Sequence, residues 1–321
     1  MILVAGESLI DLIVGPRGDV HASPGGGPFN TARTIARLGQ PVRFLGRFSA
    51  DPFGALLAGK LADDQVGLAL PEQVPQPTAL AIVSLNEAGV ARYWFHLTGT
   101  AGFVLDQPSA ERALRADVTA LHIGTLGLVV EPMAGVVEGL AGQRPSSVLL
   151  MLDPNWRASA IPDPSAHLAR IRRLLVRTDI LKTSMEDLPF LVPGDDVPAA
   201  ARTLLGWGAR CVLVTDGPAP VRAFTADGQQ LTVPTPPAQV VDTVGAGDAF
   251  GGGFLAWWAE RGLDRDQLAD PGLLAAAVAA GARVAALTCT RAGAEPPWQQ
   301  EIRAAEHPGG QPAPGPGTAR S

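Results

Sequence analysis

The sequence predicts an α/β fold: a mostly parallel central sheet flanked by helices on both faces, with a small antiparallel β flap. Two observations predict the sheet. Short apolar runs recur along the chain, and amphipathic or Ala/Leu-rich stretches separate them. Such alternation marks strands buried on both faces by crossover helices. A third observation predicts the flap. "TALAIVSLNEAGVARYWFHL", from Thr78, holds two strand-like runs with no helix between them.

Taken in order, the sheet strands are "ILVAG", "VRFLG", "ALHIGTL", "VLLMLD", "DILKTS" and "CVLVTDG". "TARTIARLG" and "FGALLAGKLADD" are intervening helices. The flap hairpin turns at Asn86 to Gly89 and gathers "LIDLIV" and the run before Gly25. A flap above the strand ends can act as a lid. A second hairpin, "VRAFTADGQQLTVP", turns at Asp227-Gly228. We expect one α/β domain over residues 1–304, with lid segments at about 9–24 and 76–98. The Pro/Gly-rich tail, 305–321, is expected to be disordered.

Composition narrows the function. The 321 residues are 46% hydrophobic and carry a formal net charge of -6. That balance gives no electrostatic support for a nucleic acid or an anionic membrane. It leaves room for phosphate, which backbone amides bind without side-chain charge. The two cysteines, Cys211 and Cys289, have no CxxC partner, and the histidines lack zinc spacing. The apolar N-terminus carries Glu7 and Asp11 and reads as a strand, not a signal peptide. "LLAAAVAAGARVAAL" is short and interrupted by Arg283, so it reads as a buried helix. A reducing, cytoplasmic setting follows.

Chemistry concentrates in "DTVGAGDAFGGGF", which begins at Asp242. Phe250, Phe254 and Trp258 follow at four-residue spacing and mark one helix face. Gly245, Ala246 and Gly247 therefore form a tight turn that opens a helix, with Asp248 in its first turn. Amides pointing outward at a helix start make an anion site. A carboxylate beside such a site suits phosphoryl transfer to a hydroxyl: it takes the proton while the amides neutralise developing charge. Capping alone would also place an acid there. Gly251 to Gly253 each cost roughly 1 kcal/mol against Ala, so something must approach that backbone closely.

"DTVGAGDAF" resembles the signature of the ribokinase-like (PfkB-type) carbohydrate kinases. "GESLID", "PGGGPFNTARTIARLG", "GRFSADPFG", "DPNWR" and "TRAGAEPP" occur in that family's order along about 290 residues. The first is most similar to fructokinases and 2-keto-3-deoxygluconate kinases. The resemblance implies an ATP- and Mg2+-dependent sugar kinase. Asp248 is its base, and Gly245, Ala246 and Gly247 its anion hole. It also implies sugar binding by Asp11, Gly25, Gly26 and Asn30. The residues agree: Asp11 interrupts an apolar strand and can accept charged hydrogen bonds from vicinal hydroxyls. Capping of the next helix would explain Asn30, but not Gly25 and Gly26. Arg157 of "DPNWR" faces the substrates in similar kinases. Potassium activation is implied through carbonyls near Asp242 and "TRAGA", and pairing of two copies through the lid, where "RYWF" offers an aromatic surface.

The nucleotide side departs from the family pattern. "KTSMED" resembles its Asn-x-x-Glu element, with Ser184 for Asn and Asp187 for Glu. The shorter acid would act on magnesium through water. "TDGPAP" resembles a Thr-x-Gly-x-x-Gly loop. Thr215 and Gly217 carry over, and Pro220 replaces the last Gly. These changes also support a silent kinase fold serving as a binding subunit, against which the intact Asp248 and its turn stand. "GALLAGKL" mimics a phosphate-binding P-loop but has Leu61 where Ser or Thr is needed, so it reads as an ordinary helix after "SADPF". For the sugar, 2-keto-3-deoxygluconate kinases commonly place Tyr-Arg on a lid strand. Here His96 and Leu97 stand there, and Leu97 cannot hold a carboxylate. The expectation is a neutral ketohexose such as fructose.

Overall fold

The computed structural model describes residues 1–15, 18–85 and 91–306. Thirteen strands are described: β1 (Ile2–Ala5), β2 (Leu9–Val14), β3 (Val20–Gly25), β4 (Val42–Leu45), β5 (Gly67–Leu68), β6 (Leu80–Leu85), β7 (Ala91–His96), β8 (Ala120–Gly124), β9 (Leu149–Asp153), β10 (Ile180–Ser184), β11 (Cys211–Thr215), β12 (Val221–Thr225) and β13 (Gln230–Val233). The α-helices among the described residues are α1 (Gly27–Arg37), α2 (Pro52–Asp63), α3 (Gln107–Ala113), α4 (Met133–Gln143), α5 (Pro164–Leu175), α6 (Leu188–Leu191), α7 (Val197–Gly206), α8 (Ala246–Glu260), α9 (Pro271–Thr288) and α10 (Gln299–Glu306).

All six expected sheet strands lie in one nine-stranded sheet, ordered β13-β12-β11-β10-β9-β8-β1-β4-β5. The seven from β11 to β5 run parallel, and the β12–β13 hairpin closes one edge antiparallel. Period-two alternation sends neighbouring side chains to opposite cores. Leu3, Ala5, Leu121, Leu150 and Leu181 enter one hydrophobic cluster, while Ile2, Val4, Met151, Ile180 and Cys211 enter the other. Burial on both faces explains why these strands read as continuous apolar runs.

The flap is a four-stranded sheet, β3-β2-β6-β7. Its β2–β3 and β6–β7 pairings are antiparallel, and its central β2–β6 pairing is parallel. The turn expected at Asn86 to Gly89 lies outside the described residues. So does the tail from 307 on; α10 itself runs to Glu306, two residues past the expected boundary.

The P-loop-like stretch lies within α2, which Asp51 caps by accepting from the Gly54 amide at 2.8 Å. A Cβ at Gly54 would stand 2.0 Å from the Ser49 carbonyl oxygen, so this glycine serves packing. By length and composition, α9 could cross a membrane. It packs along α8 instead: a Cβ on Gly253 would meet Val284 at 2.8 Å, and one on Gly281 would meet the Phe250 carbonyl oxygen at 2.7 Å.

Candidate active site

Asp248 sits in the first turn of α8, behind Gly245, which adopts the left-handed region at φ 76. A Cβ at Gly245 would lie 2.5 Å from the Ala294 Cβ, so only glycine fits this turn. Asp248 is 8% exposed. Burial pushes its carboxyl up to about 7, against the pull of the Asn30 hydrogen bond and the Lys182 charge. A carboxyl titrating near neutrality is suited to take a proton and release it again.

Asn30 holds that carboxylate. Its Nδ2 donates to Asp248 Oδ2 at 2.9 Å, and the Thr31 hydroxyl donates to the Asp248 carbonyl. The capping alternative for Asn30 fails, because the N-cap of α1 is Gly26 and Asn30 lies inside the helix. Its Oδ1 is buried without a protein partner, as a group awaiting a hydroxyl donor would be.

Asp11 projects from β2 towards Gly25, where a Cβ would stand 2.1 Å from Asp11 Oδ2. Burial raises the Asp11 carboxyl to about 6, and Arg157 opposes the rise. The same arginine charge pulls down Asp187 and Asp248, so Arg157 is electrostatically shared by three site carboxylates. Gly26 adopts φ 112, and a Cβ there would lie 2.7 Å from the Glu7 carbonyl oxygen. What Gly25 and Gly26 admit in this structure is Asp11 and the Glu7 backbone, which set the shape of the loop.

Three residues were not legible as site members. Lys182, on β10, is buried and pairs with Asp153 at 2.7 Å. Burial alone would depress its ammonium, but the charge and hydrogen bond of Asp153 hold it above the ordinary lysine range. Its Nζ lies 2.8 Å from where a Gly247 Cβ would be, so a fixed cation underlies the Gly245–Gly247 turn. The signal was present: a lysine inside the apolar run "DILKTS". Glu7 is buried and accepts from the Gly127 and Gly27 amides and from the Thr125 hydroxyl. Burial raises its carboxyl, against those hydrogen bonds. His122 is buried with Nδ1 unpartnered, and burial drives its imidazole down to about 4.

The residues expected on the nucleotide side lie at the ends of adjacent strands. Ser184 and Thr215 are registered partners at the ends of β10 and β11, and Gly217 follows at φ 50. Ser184 Oγ accepts the Asp187 amide at 3.0 Å. Burial and the neighbouring Asp153 raise the Asp187 carboxyl. Among the described residues no three acids, histidines or cysteines cluster as a protein-only metal cage. Magnesium keeps several waters and needs few protein carboxylates, so the single carboxylate of Asp187 is chemically compatible with that ion.

Of Gly251 to Gly253, the last two have another explanation, and a Cβ on Gly251 would meet only ordinary contacts, Met151 Sδ at 3.6 Å nearest. A Cβ on Gly252 would meet Thr34 Cβ at 2.6 Å, and one on Gly253 would meet Val284. The close approach at these two positions comes from α1 and α9, not from a ligand.

Fold and site are those of a phosphotransferase: a ribokinase-like sheet, a glycine turn at a helix start, and a buried carboxylate beside it. The family model for pfkB family carbohydrate kinases matches residues 1–301. The chain belongs to this family and is a sugar kinase. It is 38% identical over 265 residues to a fructokinase of Rhizobium leguminosarum bv. trifolii, covering 80% of this chain and 79% of the relative. It is 33% identical to a fructokinase of Klebsiella pneumoniae over 82% of this chain and 85% of the relative. A fructokinase from Xylella fastidiosa with bound ATP superposes with a TM-score of 0.86 at 29% identity, covering 96% of this chain and 98% of that one. A fructokinase from Vibrio cholerae O395, in a fructose-, ADP- and calcium-bound form, gives 0.82 at 26% identity, covering 94% and 97%.

Proposed function

We propose that this chain phosphorylates a neutral ketohexose, fructose foremost, with ATP as donor. The observation that carries the reading is the Asn30–Asp248 pair: a buried carboxylate near neutral pKa, aimed by a side-chain amide, directly behind an anion turn. Asp11, Asn30 and the Gly25–Gly26 loop receive the sugar hydroxyls. Asp248 takes the proton of the attacking hydroxyl. The Gly245–Ala246–Gly247 turn, with Lys182 beneath it, holds the negative charge that develops, chiefly through the Gly245 and Gly247 amides, since the Ala246 amide donates to the Thr243 carbonyl at 3.2 Å.

The remaining nucleotide and ion contacts follow. Ser184, Thr215 and Gly217 hold the nucleotide. Val240, Val241 and Val244, all half or more exposed beside the turn, offer an apolar surface for its base. Asp187 would hold Mg2+ through water, and that ion supplies charge neutralisation on the phosphate oxygens. Asp242 accepts from the Val244 and Gly293 amides, joining the two segments whose carbonyls would receive K+.

Two features favour fructose over 2-keto-3-deoxygluconate. Leu97 is buried in the hydrophobic core, and Ala81 registers with Asp11 and Phe95 on one lid face. At the Leu97 and Ala81 positions that face offers a carboxylate no cation, Arg157 already answers Asp11, and an unpaired buried carboxylate is costly. The register Leu12–Ile82–Trp94 lies on the other lid face, where Trp94 is 48% exposed; this supports a homodimer through the lid. Free Cys211 and Cys289 suit a reducing cytoplasm. The test is a coupled ADP-release assay over a panel of sugars. We expect the highest kcat/KM with fructose. A preference of about tenfold or more for 2-keto-3-deoxygluconate, about 1.4 kcal/mol, would overturn the fructose reading.

A further inference from the structure

We propose that Arg33 is a positioning residue for the anion turn: its guanidinium clamps the segment 290–297 through the Ala294 carbonyl, and Ala294 in turn fixes Gly245. Arg33 is 1% exposed, and a buried guanidinium is tolerated only when its donors are matched. Here they are. Nε pairs with Asp64 at 2.6 Å, one terminal nitrogen donates to the Ala294 carbonyl at 2.8 Å, and the other reaches both Glu295 oxygens at 3.0 Å. Ala294 bears directly on the turn, since its Cβ fills the space where a Gly245 side chain would go.

The geometry gives α1 two tasks from residues one turn apart. Asn30 aims the base, and Arg33 braces the loop behind the amides. Base and anion turn are thereby referred to one rigid helix. Arg37 supplies an internal comparison. It pairs with the same carboxylates, Asp64 at 2.8 Å and Glu295 at 2.9 Å, but its carbonyl partner is Pro296, two residues beyond Ala294, which makes the glycine contact. Arg33, Lys60 and Arg37 overcome the effect of burial and hold the Glu295 carboxyl down to about 2.

The test compares Arg33→Lys with Arg37→Lys. One ammonium cannot serve Asp64 and the Ala294 carbonyl together, so each lysine keeps the charge and loses the fork. For Arg33→Lys we expect kcat with fructose to fall at least about tenfold, with KM within about threefold, as misplacement of transition-state groups requires. For Arg37→Lys we expect kcat within about twofold of the parent at a comparable loss of melting temperature. Equal kcat losses in the two variants, or parent-like kcat in Arg33→Lys, would overturn the proposal. The kcat comparison rests on the sugar-kinase reading, so amide hydrogen exchange supplies a readout without turnover. Arg33→Lys should speed exchange in peptides covering Val241–Phe250 as well as Thr290–Pro297; faster exchange confined to the latter would overturn the clamp. If Arg33→Lys does not fold, Ala294→Gly breaks the same path at its far end. A comparable kcat loss supports the proposal, and parent-like kcat removes it.

Discussion

The ends of the site proposed to take sugar and phosphoryl group each present a key aspartate, Asp11 partly buried and Asp248 buried, and their surroundings set them apart. Asp11 stands on a lid strand with Arg157 as its counter-charge, and titrates at about 6. Asp248 stands at a helix start, more deeply buried, with Asn30 as its hydrogen-bond donor, and titrates at about 7. A binding carboxylate must stay ionised to accept hydroxyl hydrogen bonds, whereas a base must be able to take a proton near working pH. On the proposed reading, depth of burial separates the two tasks more than residue type does.

The largest expected effect breaks the phosphoryl end. Asp248→Asn should keep ATP binding and lower kcat by at least about 10²-fold, the low end for a positioned base. Similar kcat in the variant and parent would return Asp248 to capping. The same substitution should stabilise the fold at pH 8. The folded carboxyl titrates at about 7, above its ordinary 3.8, so its stabilising contribution is complete below about 3.8 and lost as pH rises through 7. The gain in melting temperature should therefore be largest at pH 8 and shrink towards pH 4.

Next comes the sugar end. Asp11→Ala should reduce sugar kcat/KM by roughly 1.5–3 kcal/mol, the range for hydrogen bonds to a charged group. The nucleotide dissociation constant should stay unchanged. An equal loss of ATP affinity would make Asp11 structural and dissolve the contrast.

Away from both ends, Gly252→Ala should cost roughly 1–3 kcal/mol of stability by overpacking α8 on Thr34, with KM for ATP and sugar unchanged. A rise in KM for either substrate would restore a ligand-approach role.

The two carboxylates should also separate in the pH profile of kcat/KM. Activity should fall with one proton between about pH 7 and 6, as Asp248 protonates, and with two below about 6, as Asp11 joins it. A single-proton limb throughout would show that only one of them governs activity. The smallest expected effect is on that limb. Arg157 is exposed and its charge lowers both carboxyls, so Arg157→Met should move the limb to higher pH, less so in high salt. An unmoved limb at low salt would detach Arg157 from both groups.

The sequence by itself determined the element types, because each reports a short-range cause. Six apolar runs became six strands of the main sheet, and Gly245 to Asp248 became the start of a helix after a left-handed turn. Asp51 before Pro52 marked a helix start at the P-loop mimic. Tertiary structure decided which residues meet. Asn30 and Asp248 are 218 positions apart, and nothing local says that one aims the other. Lys182 is an anomaly in a strand pattern until parallel pairing sets it beside Asp153, beneath Gly247. Gly252 and Gly253 announce a close approach in sequence, but only packing shows that neighbouring helices make it. Propensity and periodicity act over one or two turns of chain, whereas burial, charge pairing and pKa arise from contacts between distant segments, which exist only once the sheet has brought its strand ends together.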